Sequence, residues 1–187
     1  MKDKHNIVIN FAGFQIGWFA CVLSAANNMP EVGLVIALSV VMLHVYVSRN
    51  RQNTLQLLFI VTLLGSAWDS ILTHNQVLVF NSGLLTSYIA PSWIMMMWLL
   101  FATTLTVSFR WLYGRYMLAA ALGAVFGPLT YQAGAAMGAV IIPDEMLANI
   151  LLILSWSVIF PLLIKITEFY QARSHLGLIK KSVNWNV

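Results

Sequence analysis

The chain has 187 residues, of which 60% are hydrophobic and 9% are charged, and its mean hydropathy is +0.81. Soluble domains carry about 25% charged residues, so this composition excludes an ordinary soluble domain and indicates a membrane protein. The net charge of +4 does not predict nucleic-acid binding, because the basic residues are scattered rather than clustered. The single cysteine, Cys21, excludes an intrachain disulfide.

Apolar segments of about 20 residues, the length that crosses a bilayer core, follow one another along the chain. Because a segment in lipid must satisfy its own backbone hydrogen bonds, we expect each to be an α-helix. We predict an all-α, polytopic membrane helix bundle that forms a single integral membrane domain over residues 1–187, with six transmembrane helices. The predicted spans are 7–26, 32–48, 55–74, 92–113, 116–140 and 147–165.

The basic residues alternate with the predicted spans. The connections around 27–31, 74–91 and 141–145 contain no Lys or Arg. Since Lys and Arg are retained on the cytoplasmic side of a membrane, we predict that both termini are cytoplasmic. The ten basic residues lie at the chain ends and in the remaining connections: Lys2, Lys4, Arg49, Arg51, Arg110, Arg115, Lys165, Arg173, Lys180 and Lys181.

Span one carries a narrow seam of small and polar side chains at alternating spacings of four and three. Such a seam lets a neighbouring helix approach closely and supplies hydrogen bonds between helices. We interpret it as a packing surface, formed by Asn6, Asn10, Gly13, Gly17, Ala20, Ser24 and Asn27.

Span three contains Asp69, the only acidic residue well inside a predicted span. A carboxylate at such depth costs about 2.5–3.5 kcal/mol on insertion scales, which makes it a functional-site hypothesis. Either a protonated Asp69 bonds a neighbouring helix as a structural element, or it titrates protons, binds a ligand or acts as an acid and base. By polarity and approximate depth, the candidates for a ligand-binding or proton-titrating site are Asp69, Gln15, Asn10, Trp68, Trp98, Thr103, Tyr131 and Gln132.

The connection at 75–91 is too apolar for an ordinary solvated loop. It either lies on the outer membrane surface or dips back between helices. In span five, the step Gly127 to Pro128 predicts a kink or local unwinding, because proline removes a backbone donor. These two residues are therefore hinge candidates.

No recognised catalytic, phosphate-binding or dinucleotide-binding motif occurs in the sequence. The four histidines have no metal-ligand spacing. We therefore predict no catalytic residue, no metal site and no cofactor.

Three stretches of the sequence resemble the bacterial inner-membrane family called domain of unknown function 2878. They are NFAGFQIGWFAC at 10–21, APSWI at 90–94 followed by Trp98 and FATTL at 101–105, and GPLTYQAG at 127–134. The resemblance implies a small multi-pass protein of the bacterial inner membrane, and it brings no established activity. Members of that family are often encoded near proteins similar to cyclopropane-fatty-acid synthases, which implies the handling of lipids.

The leading hypothesis is a protein that binds or handles a membrane lipid or another lipophilic small molecule, or an accessory subunit in membrane-lipid modification. The alternatives are a small proton-linked transporter, with Asp69 titrating, and a membrane-embedded lipid-modifying enzyme. The expected partners are membrane lipids, with either a second copy of the chain or a lipid-modifying membrane enzyme as a protein partner. Nucleic acid is not among them.

Overall fold

A computed structural model describes residues 2–86 and 88–183. The prediction of an all-α chain is confirmed, since the described residues form no strand beyond one isolated bridge between Val79 and Ile141. The helices are α1 (Lys2–Ala26), α2 (Pro30–Val47), α3 (Arg51–His74), α4 (Ser92–Leu105), α5 (Tyr116–Ala136) and α6 (Glu145–Val183), with a short 3-10 helix at Arg110–Leu112.

Helix α4 is shorter than predicted: the predicted span runs over 92–113, but the α-helix ends at Leu105 and turns follow. The hydroxyl groups of Thr103 and Thr104 bond backbone carbonyls three residues back, and the N–H groups of Val107 and Phe109 both bond the Thr104 carbonyl in the turns that close the helix. Asn10 of α1 donates its side-chain N–H to the carbonyl of Thr103. The apolar residues after 105 therefore continue the hydropathy pattern without continuing the helix.

Helix α6 is longer than predicted. The apolar segment ends near Lys165, but the helix continues to Val183, and its 39 residues at about 1.5 Å each make it about 58 Å long. A bilayer core is about 30 Å thick. Hydropathy marks only the part that lipid can cover, whereas polar residues can continue a helix beyond it.

Four helical segments are long and apolar enough to cross a membrane: Asn6–Ala26, Pro30–Val47, Arg51–His74 and Glu145–Ala172. Helix α4 is apolar but has only 14 residues. Helix α5 is long enough but is not among the four, since it contains Pro128, Gln132 and three glycines. Six crossings with cytoplasmic termini therefore stay a prediction.

The helices pack as two antiparallel pairs around α4. Helices α1 and α2 form one pair, α5 and α6 form the other, and α4 contacts α1, α2, α3 and α6. A side chain at Gly33 would meet the Cys21 backbone at 2.6 Å, and one at Gly17 would meet Leu100 at the same distance. The middle of the α1 seam, from Gly13 to Ser24, thus packs against α2 and α4 as predicted, whereas Asn6 and Asn27 are exposed.

The connections without Lys or Arg meet at one end of the bundle. In the 75–91 connection, Ser82 donates to the carbonyl of Ala25, and Val79 exchanges two backbone hydrogen bonds with Ile141. At the opposite end, Glu168 of α6 accepts from the Gly114 N–H and the Tyr116 hydroxyl. The 75–91 connection packs over helix ends, with Leu78 and Phe80 buried.

Candidate functional site

Asp69 ties three helices together. Its side chain is 1% exposed, and its two carboxylate oxygens accept hydrogen bonds at 2.6 Å from Nε1 of Trp98 on α4 and from the hydroxyl of Tyr131 on α5. The residue lies on the buried face of α3, four positions after Gly65. Helical periodicity thus turns the carboxylate inward, and packing provides the two donors.

Two glycines leave the space that the aromatic side chains around this carboxylate occupy. A Cβ at Gly65 would overlap the ring of Trp98, and one at Gly127 would overlap Trp156 of α6. The rings of Trp98 and Trp156 stack at a centroid distance of 5.1 Å and an angle of 12°. We call Asp69, Trp98, Tyr131 and Trp156 the Asp69 cluster.

The chemistry of the Asp69 cluster follows from its donors. An indole N–H can only donate, and a tyrosine hydroxyl can donate or accept. Trp98 can therefore only donate to Asp69, whereas the bond with Tyr131 suits either an ionised carboxylate that accepts or a protonated one that donates. Any ligand that reaches Asp69 must first displace Trp98 or Tyr131, since the carboxylate is buried.

Asn10 and Thr103, two other predicted site residues, lie together but do not bond Asp69. The Asn10 side chain donates to the Thr103 carbonyl at 3.3 Å and accepts from the Ser108 hydroxyl at 2.6 Å. Thr103 is buried, with its hydroxyl bonded to the Leu100 carbonyl. These contacts connect α1 to the end of α4, where helical hydrogen bonding stops.

The remaining predicted residues occupy separate positions. Gln15 is half-buried on α1, and Trp68 is half-buried on α3 with its Nε1 buried and unpartnered among the described residues. Two hydroxyl oxygens on α3, those of Thr62 and Ser66, are likewise buried without a partner in the described part of the chain. Gln132 follows Tyr131 but points to the other side of α5, where it is exposed.

Helix α5 continues through Gly127 and Pro128 without interruption. Local unwinding at this step is therefore absent, and the alternative, a kink, stays a prediction, since proline leaves the carbonyl four residues earlier without its usual donor. The close contact with Trp156 accounts for glycine at position 127. A hinge role for the two residues stays a prediction.

A groove of about 450 Å³ lies where α5 ends and α6 begins. The side-chain amide of Gln132 donates to that of Asn149 on α6 at 2.7 Å. We call the groove between these two helix ends the α5–α6 groove. Its lining consists of two polar side chains, Gln132 and Glu145, and the apolar side chains of Ala135, Ala136, Val140, Ile141 and Ile142.

Sequence reasoning found Gln132 but missed Asn149 and Glu145. The available signal was Asn149 itself, an uncharged amide near the start of an otherwise apolar span. Polar residues within spans are costly and mark sites or helix contacts.

A family model described as a protein of unknown function (DUF2878) matches residues 7–162. The chain belongs to this family. No curated protein and no solved structure matches it. The family assignment confirms the resemblance found in the sequence motifs.

The DUF2878 match contains every residue of the Asp69 cluster and of the α5–α6 groove. It ends before the last 21 described residues of α6. The family description assigns no activity to DUF2878 proteins, so the evidence for a function lies in the Asp69 cluster and the α5–α6 groove.

Proposed function

We propose that this DUF2878 protein binds a membrane lipid, or another lipophilic small molecule, in the α5–α6 groove. One observation carries the proposal: the groove combines an apolar wall with the side-chain amide of Gln132, which is hydrogen-bonded to Asn149 on α6. Ligand sites are typically apolar clefts with a few placed polar groups that fix orientation. A lipid presents the matching chemistry, since its apolar chains are joined to polar ester and headgroup atoms.

The amide pair has hydrogen-bonding capacity to spare. The bond between the two side chains uses one N–H of Gln132 and the oxygen of Asn149, while each primary amide has two N–H groups and an oxygen. Exposed polar groups are costly where lipid replaces water. A ligand that bonds the remaining atoms would remove that cost.

The Asp69 cluster supports the proposal by holding α5 in place. Tyr131, which precedes Gln132, is bonded to Asp69 on α3. Helix α5 otherwise packs mainly on α6, so this bond fixes the wall that carries Gln132. A wall fixed before binding lowers the entropy lost when a ligand binds.

The same proposal includes six crossings of a bacterial inner membrane with both termini in the cytoplasm. It is supported by the segregation of Lys and Arg and by the contacts that gather the uncharged connections at one end. In this orientation the α5–α6 groove opens near the outer surface.

Native mass spectrometry of the gently solubilised protein tests the proposal. We expect the wild type to retain a lipid or another lipophilic molecule. Gln132→Leu should lower its occupancy about fivefold, the effect of one lost hydrogen bond of about 1 kcal/mol. Ala136→Phe, which fills the groove, should abolish retention.

Thr130→Val is the matched control, because the Thr130 hydroxyl bonds a carbonyl of its own helix, that of Phe126, and does not line the groove. Equal retention by all four proteins would contradict the proposal. The same spectra report whether a second copy of the chain is bound.

A further inference from the structure

We infer that the α5–α6 groove selects a membrane lipid whose headgroup carries a primary ammonium group. The inference rests on the proposed lipid binding and names the class of lipid. Three observations support it. Glu145 lines the rim of the groove, and the bonded amides of Gln132 and Asn149 lie about one helical turn deeper. The chain segments that form this end of the bundle contain no Lys or Arg.

Glu145 gives the rim a negative charge. It is the first residue of α6, is exposed, and lines the groove. No ion pair of Glu145 occurs within the part of the chain that the structure describes. A carboxylate at a membrane interface, where screening is weaker than in bulk water, attracts a cation.

The neighbouring carboxylate has a different role. Asp144 accepts a hydrogen bond from the backbone N–H of Leu147 at 2.9 Å and thereby caps the start of α6. Because this cap offsets the positive end of the helix dipole, the start of α6 does not attract an anion. Glu145 is left as the charge that a headgroup meets.

The sequence places no Lys or Arg between residues 116 and 164 or between 52 and 109. The groove therefore offers no cation that would pair with an anionic headgroup such as glycerol phosphate. Phosphate oxygens of a zwitterionic lipid can instead accept from the amide N–H groups, which are neutral donors.

The depth of the two amides below the helix ends fits the length of a phospholipid headgroup. Asn149 lies four residues into α6 and Gln132 four residues before the end of α5, so each amide is about 6 Å below the helix end at 1.5 Å per residue. A terminal ammonium at Glu145 would leave the phosphate and ester oxygens at the depth of the amides. The acyl chains would then follow the exposed apolar side chains of α5 and α6.

Nanodiscs that contain equal amounts of phosphatidylethanolamine and phosphatidylglycerol with identical acyl chains test the inference. After extraction, native mass spectrometry reports which lipid stays bound. We expect the wild type to keep the ethanolamine lipid in about fivefold excess, the size of one partly screened ion pair. Glu145→Gln should lower the ratio to about one.

Glu31→Gln is the matched control, because Glu31 is an exposed carboxylate in the first turn of α2 and does not line the groove. It should keep the wild-type ratio. A ratio near one in the wild type, or an unchanged ratio in Glu145→Gln, would overturn the inference while bound lipid still supports the proposed function. Loss of the bound lipid to free ethanolamine would assign the site to a soluble amine and also overturn it.

If the wild type and Gln132→Leu retain equally little lipid, the proposed function fails, and the inference fails with it. Thermal stability of Glu145→Gln equal to that of the wild type shows that the variant is folded. Glu145→Asp, which keeps the charge, should keep the preference for the ethanolamine lipid.

Discussion

At the scale of single residues, Asp69 owes its role to two donors on other helices. Its burial would be costly if either oxygen lacked a partner. Trp98 and Tyr131 satisfy one oxygen each, so the carboxylate becomes a bridge among α3, α4 and α5. The residue that is most expensive to place in lipid is thus also one that stabilises the arrangement of the bundle.

Tyr131→Phe should lower stability, because it leaves one buried oxygen of Asp69 without its donor. An unsatisfied buried polar group costs about 1–3 kcal/mol. Asp69→Asn should cost less, since the asparagine oxygen can accept from Trp98 while its amino group donates to the Tyr131 hydroxyl. Apparent melting temperatures in one detergent measure this order.

Tyr88→Phe is the control, because Tyr88 is 66% exposed. The double variant Asp69→Asn with Tyr131→Phe should be less stable than Asp69→Asn alone, since the new amino group then lacks an acceptor. A Tyr131→Phe variant as stable as Tyr88→Phe would contradict the assigned hydrogen bond.

At the scale of helices, glycines decide which pairs pack closely. Helix α5 contains Gly127, where a Cβ would overlap Trp156, and Gly134, where the nearest contact would be an ordinary 3.5 Å to Val140. The helix ends where Gly138, with φ of +83°, follows it. The N–H of Ala139 then bonds the Gly134 carbonyl, as in a Schellman motif.

Gly127→Ala and Gly134→Ala form a matched pair on this helix. Gly127→Ala should destabilise the protein by about 1–3 kcal/mol, because the added methyl group overlaps Trp156 and must displace its ring. Gly134→Ala should be neutral or stabilising by up to about 1 kcal/mol, since alanine favours helix. Thermal unfolding followed by tryptophan fluorescence measures both, and equal effects would contradict the packing of Gly127 on Trp156.

At the scale of the whole molecule, charge distribution and tertiary contacts agree. The connections without basic residues gather at one end, and the connection with Arg110 and Arg115 contacts α6 near Glu168 at the other. Hydropathy alone does not establish that α4 and α5 cross the membrane, because α4 is short and α5 is only moderately apolar. The predicted orientation therefore rests on the distribution of Lys and Arg and not on the lengths of the helices.

Cysteine labelling tests that orientation on both sides of α4. Asn75→Cys and Arg115→Cys place exposed thiols before and after this 14-residue helix. In intact cells, a membrane-impermeant maleimide should label Asn75→Cys, and Arg115→Cys should react only after permeabilisation. The wild type is the control, because Cys21 is 0% exposed; labelling of both sites from one side would contradict a crossing by α4.

The sequence by itself determined the apolar, membrane-like character of the chain, the all-α fold, the family and which connections carry positive charge. These properties depend on how each segment interacts with lipid and water, which its own composition describes. Asp69 was recognisable for the same reason: a carboxylate in an apolar segment is conspicuous without any knowledge of its neighbours. Trp98 and Tyr131 were among its predicted companions on polarity and depth alone.

Only the tertiary structure decided which candidates meet. Asn10 and Thr103 have the same polarity and approximate depth as the true partners of Asp69, but they bond each other at the end of α4. Hydrogen-bond partners depend on how helices rotate and approach, and contacts such as Gly65 with Trp98 set that approach. For the same reason, the groove between α5 and α6, with Glu145 in its lining and Asn149 bonded to Gln132, is defined only by the way the two helix ends pack together.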